Sequence, residues 1–229
     1  METLPGGLTL HIPQGCFPLS TDSMVLADFI HTGRQDRILD LGSGCGALGL
    51  LLCARDLRCH VTGIELDPQA HTAALENILC NDLTARMDSI CADLKEIAAC
   101  VPAGSFDCCI SNPPYFSGGA LSRSLPAARQ TLLCSAAHLF AAAQHALRYG
   151  GDFYLVHKPE QLATLCHLAV QAGLEPKRLR LVRHREGKAP ALVLLQCRKG
   201  GKSGLILDEL NLYDADGQPT QAYRRIYHL

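Results

Sequence analysis

From residue 37 onward, short apolar runs alternate with segments long enough for helices, and this rhythm restricts the chain to very few folds. Arg37 to Leu41, Val61 to Glu65, Ser89 to Ala92 and Phe106 to Ser111 read as strands, followed by Asp152 to His157, Leu179 to Arg183 and Ala191 to Arg198. Between them, Ala47 to Arg55, Pro68 to Asn81, most of Pro126 to Tyr149, and Pro159 to Ala172 read as helices. Asp67 before Pro68 is a start signal, and Gly150-Gly151 and Gly173 are stop signals. The pattern predicts an α/β fold: a doubly wound, mostly parallel seven-stranded sheet with helices on both faces. In such sheets ligands bind beyond the carboxyl ends of the strands. One domain is expected. It has a lead-in over 1–36 with a helix over Thr21 to Phe29, a core over 37–200, and a C-terminal extension over 201–229 that begins in flexible Gly/Ser/Lys sequence.

Composition agrees with a filled core: 48% of the 229 residues are hydrophobic and the mean hydropathy is +0.09. Apolar runs such as Ala47 to Ala54 are far too short to cross a bilayer. The N-terminus shows neither a basic leader nor a signal-like apolar segment, so a cytoplasmic location is expected. Twelve cysteines are scattered without a CxxC pair. They read as reduced core residues rather than disulfides or zinc ligands, and no metal is expected. Cys108 and Cys109 are adjacent on one strand and must face opposite sides of it. The net charge is −1, yet Lys177, Arg178, Arg180, Arg183, Arg185 and Lys188 crowd one stretch. That stretch is either a polyanion-facing patch or an ordinary solvated face.

Four features lie at strand ends. Asp40-Leu41-Gly42-Ser43-Gly44-Cys45-Gly46 joins the first strand to its helix, and three alternating glycines let the backbone turn tightly against a ligand. The spacing is neither G-x-G-x-x-G nor a P-loop, which makes a phosphate cradle the weaker reading. Glu65 closes the second strand and can accept hydrogen bonds from ribose hydroxyls. Asp67 suits a helix-capping role better. Asp93, ending the third strand, can accept from an adenine amine or cap a helix. The fourth strand runs into Asn112-Pro113-Pro114-Tyr115, a rigid corner of amide, free carbonyls and aromatic ring. It suits a planar NH2 group held still for attack on an electrophile.

In this order and spacing, the four motifs resemble the Rossmann-like class I S-adenosylmethionine-dependent methyltransferases over about residues 37 to 200. The resemblance implies that Gly42, Gly44 and Gly46 lie against the cofactor's methionine and ribose, that Glu65 binds ribose, and that Asp93 meets adenine. It also implies Asp40 near the methionine amine and Asn112 beside both cofactor and acceptor. The lead-in, Phe17 through Thr21-Asp22 to Leu26, looks like a segment of the tRNA(Val) adenine-37 N6-methyltransferase family, which carries the same N-P-P-Y. There Thr21 and Asp22 are implied to close over the methionine end. The chain departs from that family after the catalytic loop, with Ala128-Arg129-Gln130-Thr131 in place of Ala-Arg-His-Glu.

The implied chemistry is methyl transfer to an exocyclic amine, with N6 of adenine in tRNA leading. Asn112 and the Pro113 carbonyl would grip the amine and Tyr115 would stack on the base. Pro114, Tyr115, Phe116, Arg123 and Arg129 would contact substrate. Other readings are a glutamine methyltransferase acting on a protein such as a release factor, an rRNA or DNA base amine methylase, and an inactive cofactor-binding module. His138 and His145 share one helix and read as structural.

Overall fold

Burial on both faces decides how these strands are used. The computed structural model describes residues 2–4, 6–31, 37–113 and 126–228, the stretch 126–135 by its backbone alone. In β3 (Arg37–Leu41), Ile38 enters one apolar cluster and Leu39 the opposite one. The same alternation separates Cys108 from Cys109 in β6 (Phe106–Ser111) and Leu194 from Leu195 in β9 (Leu192–Lys199). Strands covered on both sides need unbroken apolar sequence, which is what makes them visible as runs.

The remaining large-sheet strands are β4 (His60–Glu65), β5 (Met87–Cys91), β7 (Leu147–His157), β8 (Leu174–Arg185) and β10 (Ile206–Tyr213). Their order is β10-β8-β9-β7-β6-β3-β4-β5, and β9 alone runs against its neighbours. Helices α1 (Thr21–Phe29), α2 (Ala47–Arg55), α3 (Pro68–Cys80) and α7 (Gln221–Tyr227) contribute to one cluster. Helices α4 (Ile97–Cys100), α5 (Pro126–Ala146) and α6 (Leu162–Gln171) contribute to the other. A two-residue pair, β1 (Glu2–Thr3) and β2 (Thr9–Leu10), begins the chain. No described helix is long and apolar enough to cross a membrane.

The doubly wound, mostly parallel sheet is as expected, but it has eight strands rather than seven. The stretch read as a C-terminal extension supplies β10, which pairs in parallel with β8 along the outer edge, and α7 folds back beside α1. A second difference is at Gly150-Gly151, which the sequence suggests as a helix stop. Helix α5 ends at Ala146 and the glycines lie inside β7. The pairing register there shifts between Phe106 and Cys108, and a Cβ on Gly151 would come within 2.8 Å of the Asp107 carbonyl oxygen. The glycine permits a bulge in a strand, not the end of a helix.

Candidate active site

Because β8 and β10 run parallel to the central strands, the carboxyl ends of seven strands share one rim. The loop after β3 is fixed there by its backbone: Gly42 and Ser43 donate N–H groups to the Ile64 carbonyl at 2.9 and 3.0 Å. Gly44 donates to Glu65 Oε2 at 2.7 Å, and Asp67 donates to Oε1 of the same carboxylate at 2.8 Å. Gly42, Gly44 and Gly46 all have positive φ (75, 55 and 83°), a conformation that favours glycine. A Cβ at 42 or 44 would meet nothing within 4 Å, so the loop's outer surface is open. Glu65 is thus held at the edge of this opening with lone pairs remaining on both oxygens. Leu66 beside it is 64% exposed, a large apolar side chain on the same rim.

Asp40, 2% exposed, lies beneath the loop. Its Oδ2 has no hydrogen-bond partner. Burial, and secondarily the charge of Glu65, pushes its carboxyl up to about 8. Asp93 accepts from the Lys95 N–H at 3.0 Å and starts a short 3-10 turn, the capping alternative for this residue. Asp67 caps α3 through the Gln69 N–H at 3.1 Å, as its sequence context indicates.

Asn112 follows β6, whose end is tied to β3 by a Ser111 hydroxyl donating to the Leu41 carbonyl at 2.7 Å. The Asn112 side-chain NH2 donates to Ser23 Oγ in α1 at 2.9 Å. Pro113 is buried beside it. Asp22, in the first turn of α1, has its carboxyl raised by burial, an effect that the charge of Lys158 beyond β7 partly opposes. Thr21 turns elsewhere: its hydroxyl oxygen receives a bond from Tyr227 of α7 at 3.1 Å. Thr21 and Tyr227 help line a recess of about 470 Å³ that contains neither the glycine loop nor Asn112. Pro114, Tyr115, Phe116 and Arg123 lie outside the described residues, as does the side chain of Arg129.

Sequence reasoning misses what carries the lead-in to this rim. Asn77, 3% exposed on α3, exchanges hydrogen bonds with the backbone N–H and carbonyl of His11, both at 2.8 Å, and donates to the Cys45 carbonyl at 3.0 Å. One turn on, Asn81 does the same for Thr9, at 2.8 and 2.7 Å. Cys16 packs against the same apolar cluster as Cys45, and burial, with Cys16 as a lesser cause, pushes the Cys45 thiol up to about 12. The available signal is two asparagines at i and i+4, one in α3 at a core position, where an unpaired amide would be costly, and one at the helix's C-cap.

Residues 18–165, more than half the chain, match the methyltransferase small domain family. A tRNA1(Val) (adenine(37)-N6)-methyltransferase of Tolumonas auensis is 34% identical over 81% of this chain and 78% of its own length. One from a Shewanella species is 31% identical over 89% and 87%. Among solved structures, a predicted O-methyltransferase from Agrobacterium tumefaciens superimposes with a TM-score of 0.76 over 91% of this chain and 96% of its own, at 22% identity. At that identity the likeness speaks to the fold, whereas the family match and the relatives speak to descent: the chain belongs to the methyltransferase small domain family.

Proposed function

We propose that the protein transfers the methyl group of S-adenosylmethionine to the N6 amine of an adenine in cytoplasmic tRNA. The relatives' names point to adenine 37 of tRNA1(Val). The observation that carries the reading is the Asn112 amide, anchored through its NH2 to Ser23 so that its oxygen is the end left for an acceptor.

The residues fit the cofactor. The buried, unpartnered Asp40 Oδ2 suits an ammonium group, the open face of Gly42 and Gly44 suits close backbone approach, and Glu65 offers acceptor lone pairs to a ribose diol. Asp22 is the further acid on the lead-in side, and Asp93 keeps acceptor capacity for an adenine amine. When bound, the cofactor supplies a methyl group on a positively charged sulfur.

The protein's own task is to make a poor nucleophile attack. An adenine amine delocalises its lone pair into the ring. Asn112 Oδ1 and the Pro113 carbonyl accept its two N–H groups, concentrate electron density on nitrogen, and stabilise the positive charge that grows there. Holding nitrogen in line with the methyl group supplies much of the remaining acceleration. The product nitrogen sheds its extra proton to water, so no dedicated base is needed. Tyr115 is assigned to stacking on the base, worth ~1–3 kcal/mol, with Pro114, Phe116, Arg123 and Arg129 as further substrate contacts. A base within a stacked anticodon loop is turned out into the pocket first.

The test incubates purified protein and labelled S-adenosylmethionine with tRNA, rRNA and release factor, then digests the products to nucleosides and amino acids. Label is expected as N6-methyladenosine in tRNA. Label confined to protein would replace this reading with the glutamine one. Asn112→Ala is expected to bind S-adenosylhomocysteine as the wild type does while losing at least about 100-fold in kcat. Equal turnover would remove Asn112 from the chemistry.

A further inference from the structure

A primary amide presents a carbonyl and an NH2 group of nearly equal size, and only its hydrogen-bond partners decide which end faces a ligand. If Asn112 turned its NH2 toward an acceptor amine, donor would face donor. The recorded arrangement avoids this: Asn112 Nδ2 donates to Ser23 Oγ at 2.9 Å, and among the described residues no partner occupies Oδ1.

Ser23 is well placed to impose that choice. It is 6% exposed on the third residue of α1, and the helix itself is braced. Arg55 of α2 donates to the Ala27 and Ile30 carbonyls at the helix's carboxyl end. Arg225 of α7 pairs with Asp28 at 3.0 Å. On the other side, the Ser111–Leu41 bond fixes the backbone from which Asn112 projects. Backbone and side chain are therefore gripped from different elements, β3 and α1, and Ser23 lies 89 residues from Asn112 in sequence.

We infer that Ser23 is a positioning residue for amine methylation, holding the Asn112 amide with its oxygen toward the acceptor's N–H. The inference rests on the proposed amine transfer and deepens it. The N-terminal segment then does more than cover the cofactor; it sets the orientation of the group that contacts the nucleophile. Without the hydroxyl the amide is free to turn about χ2, and a misdirected or displaced contact slows the transfer step rather than binding.

Three variants of the full chain decide it, each measured for kcat and KM on tRNA, affinity for S-adenosylhomocysteine, and Tm. Ser23→Ala is expected to lower kcat about 10- to 100-fold with KM and affinity within about twofold. Ser23→Cys fills nearly the same volume with a much weaker acceptor and should fall with the alanine variant. Ser23→Thr keeps a hydroxyl and should recover most of the turnover. Wild-type turnover in the cysteine variant would reduce Ser23 to packing and overturn the inference, even where the alanine variant proves unstable. A matching loss of S-adenosylhomocysteine affinity would overturn it too, since that marks general disorder of the site. If the wild type makes no N6-methyladenosine, the function proposed above fails first, and the same comparison is run on whichever amine or amide acceptor is labelled.

Discussion

Asp40 carries the clearest pH signature at the scale of single residues. Its carboxyl, ordinarily near 3.8, is pushed up to about 8, first by burial and then by Glu65. Folding therefore favours the protonated form. That stabilising contribution is whole below 3.8, erodes as pH rises, and is gone above about 8. Asp40→Asn, which stays neutral, should be more stable than the wild type at pH 8 and indistinguishable from it near pH 4. A ligand ammonium reverses the preference, because it favours the ionised carboxylate. Cofactor-product affinity should then rise with pH below about 8, by up to tenfold per unit, with release of a proton. The asparagine variant should bind more weakly and show no such slope. Calorimetry of S-adenosylhomocysteine binding in buffers of different ionisation enthalpy reads both, and a flat wild-type profile would separate Asp40 from the ammonium. Glu65 and Asn112 were conspicuous because each follows an apolar run at a strand end, where a polar side chain has no packing reason to be, and Asp40 because it opens the glycine motif. Ser23 was not. A serine in a helix is common, and its partner lies in a distant strand end.

At the scale of elements, the basic stretch over 177–188 has its arginines tied into the sheet rather than left bare, while Arg185 and Lys188 stay exposed. Its arginines are divided among partners by the pleat and by β10. Arg178 and Arg180 converge on Asp208 at 2.6 and 2.7 Å, with Asp208 and Arg180 opposite each other in the parallel register. Both guanidinium groups also lie over the Phe29 ring, at 4.7 and 5.3 Å. Arg183 pairs with Glu209 and Arg185 with the Ala215 carbonyl. Burial by itself would raise the Asp208 carboxyl, but hydrogen bonds and charge from Arg180 and Arg178 outweigh it and hold the group below its ordinary value. Asp208→Asn should cost about 1–3 kcal/mol near neutral pH, since it leaves partly buried Arg178 without its counter-charge and Arg180 with only Asp28 at 3.5 Å. The sign follows from the lowered carboxyl: the stabilisation is present above 3.8 and disappears as pH falls below it. Urea unfolding at pH 7 and pH 3 tests this, and equal midpoints at pH 7 would refute it. The salt dependence of tRNA binding should be unaffected by Arg180→Gln, because that guanidinium is already committed. Strand β10 itself had a signal, the alternation of Leu210 and Leu212 with Glu209 and Asn211. The glycines at 200, 201 and 204 made it read as a tail.

Across the whole molecule, the segment at residues 9–30 is clamped from several directions, and only the sheet beneath it was evident beforehand. Strand and helix periods repeat locally, so they are written into any window of sequence. The clamp is made of single contacts between residues tens to hundreds of positions apart, which leave no period. From α3 come Asn77 and Asn81, and from α2 comes Arg55 on the Ala27 and Ile30 carbonyls. From α7 come the Tyr227–Thr21 hydrogen bond, the Arg225–Asp28 pair and the buried Ile226. Tyr227 stacks on Tyr223 at 4.4 Å, and Tyr223 meets Tyr213 of β10 at 5.0 Å, so the helix is fastened to the sheet before it reaches α1. Removing residues 221–229 takes away one of these supports and leaves the sheet and its two apolar clusters nearly whole. The shortened chain should fold and lose about 1.5–3 kcal/mol, mostly from exposing the surface that Ile226 covers. The exposed Arg225–Asp28 pair adds little. Amide exchange should accelerate over 21–30 and stay slow in β3, β4 and β6. Turnover should fall along with protection of α1, because Ser23 rides on that helix and orients Asn112. If α1 keeps its full protection in the shortened protein, the remaining supports suffice and α7 serves only to cover the edge of the sheet.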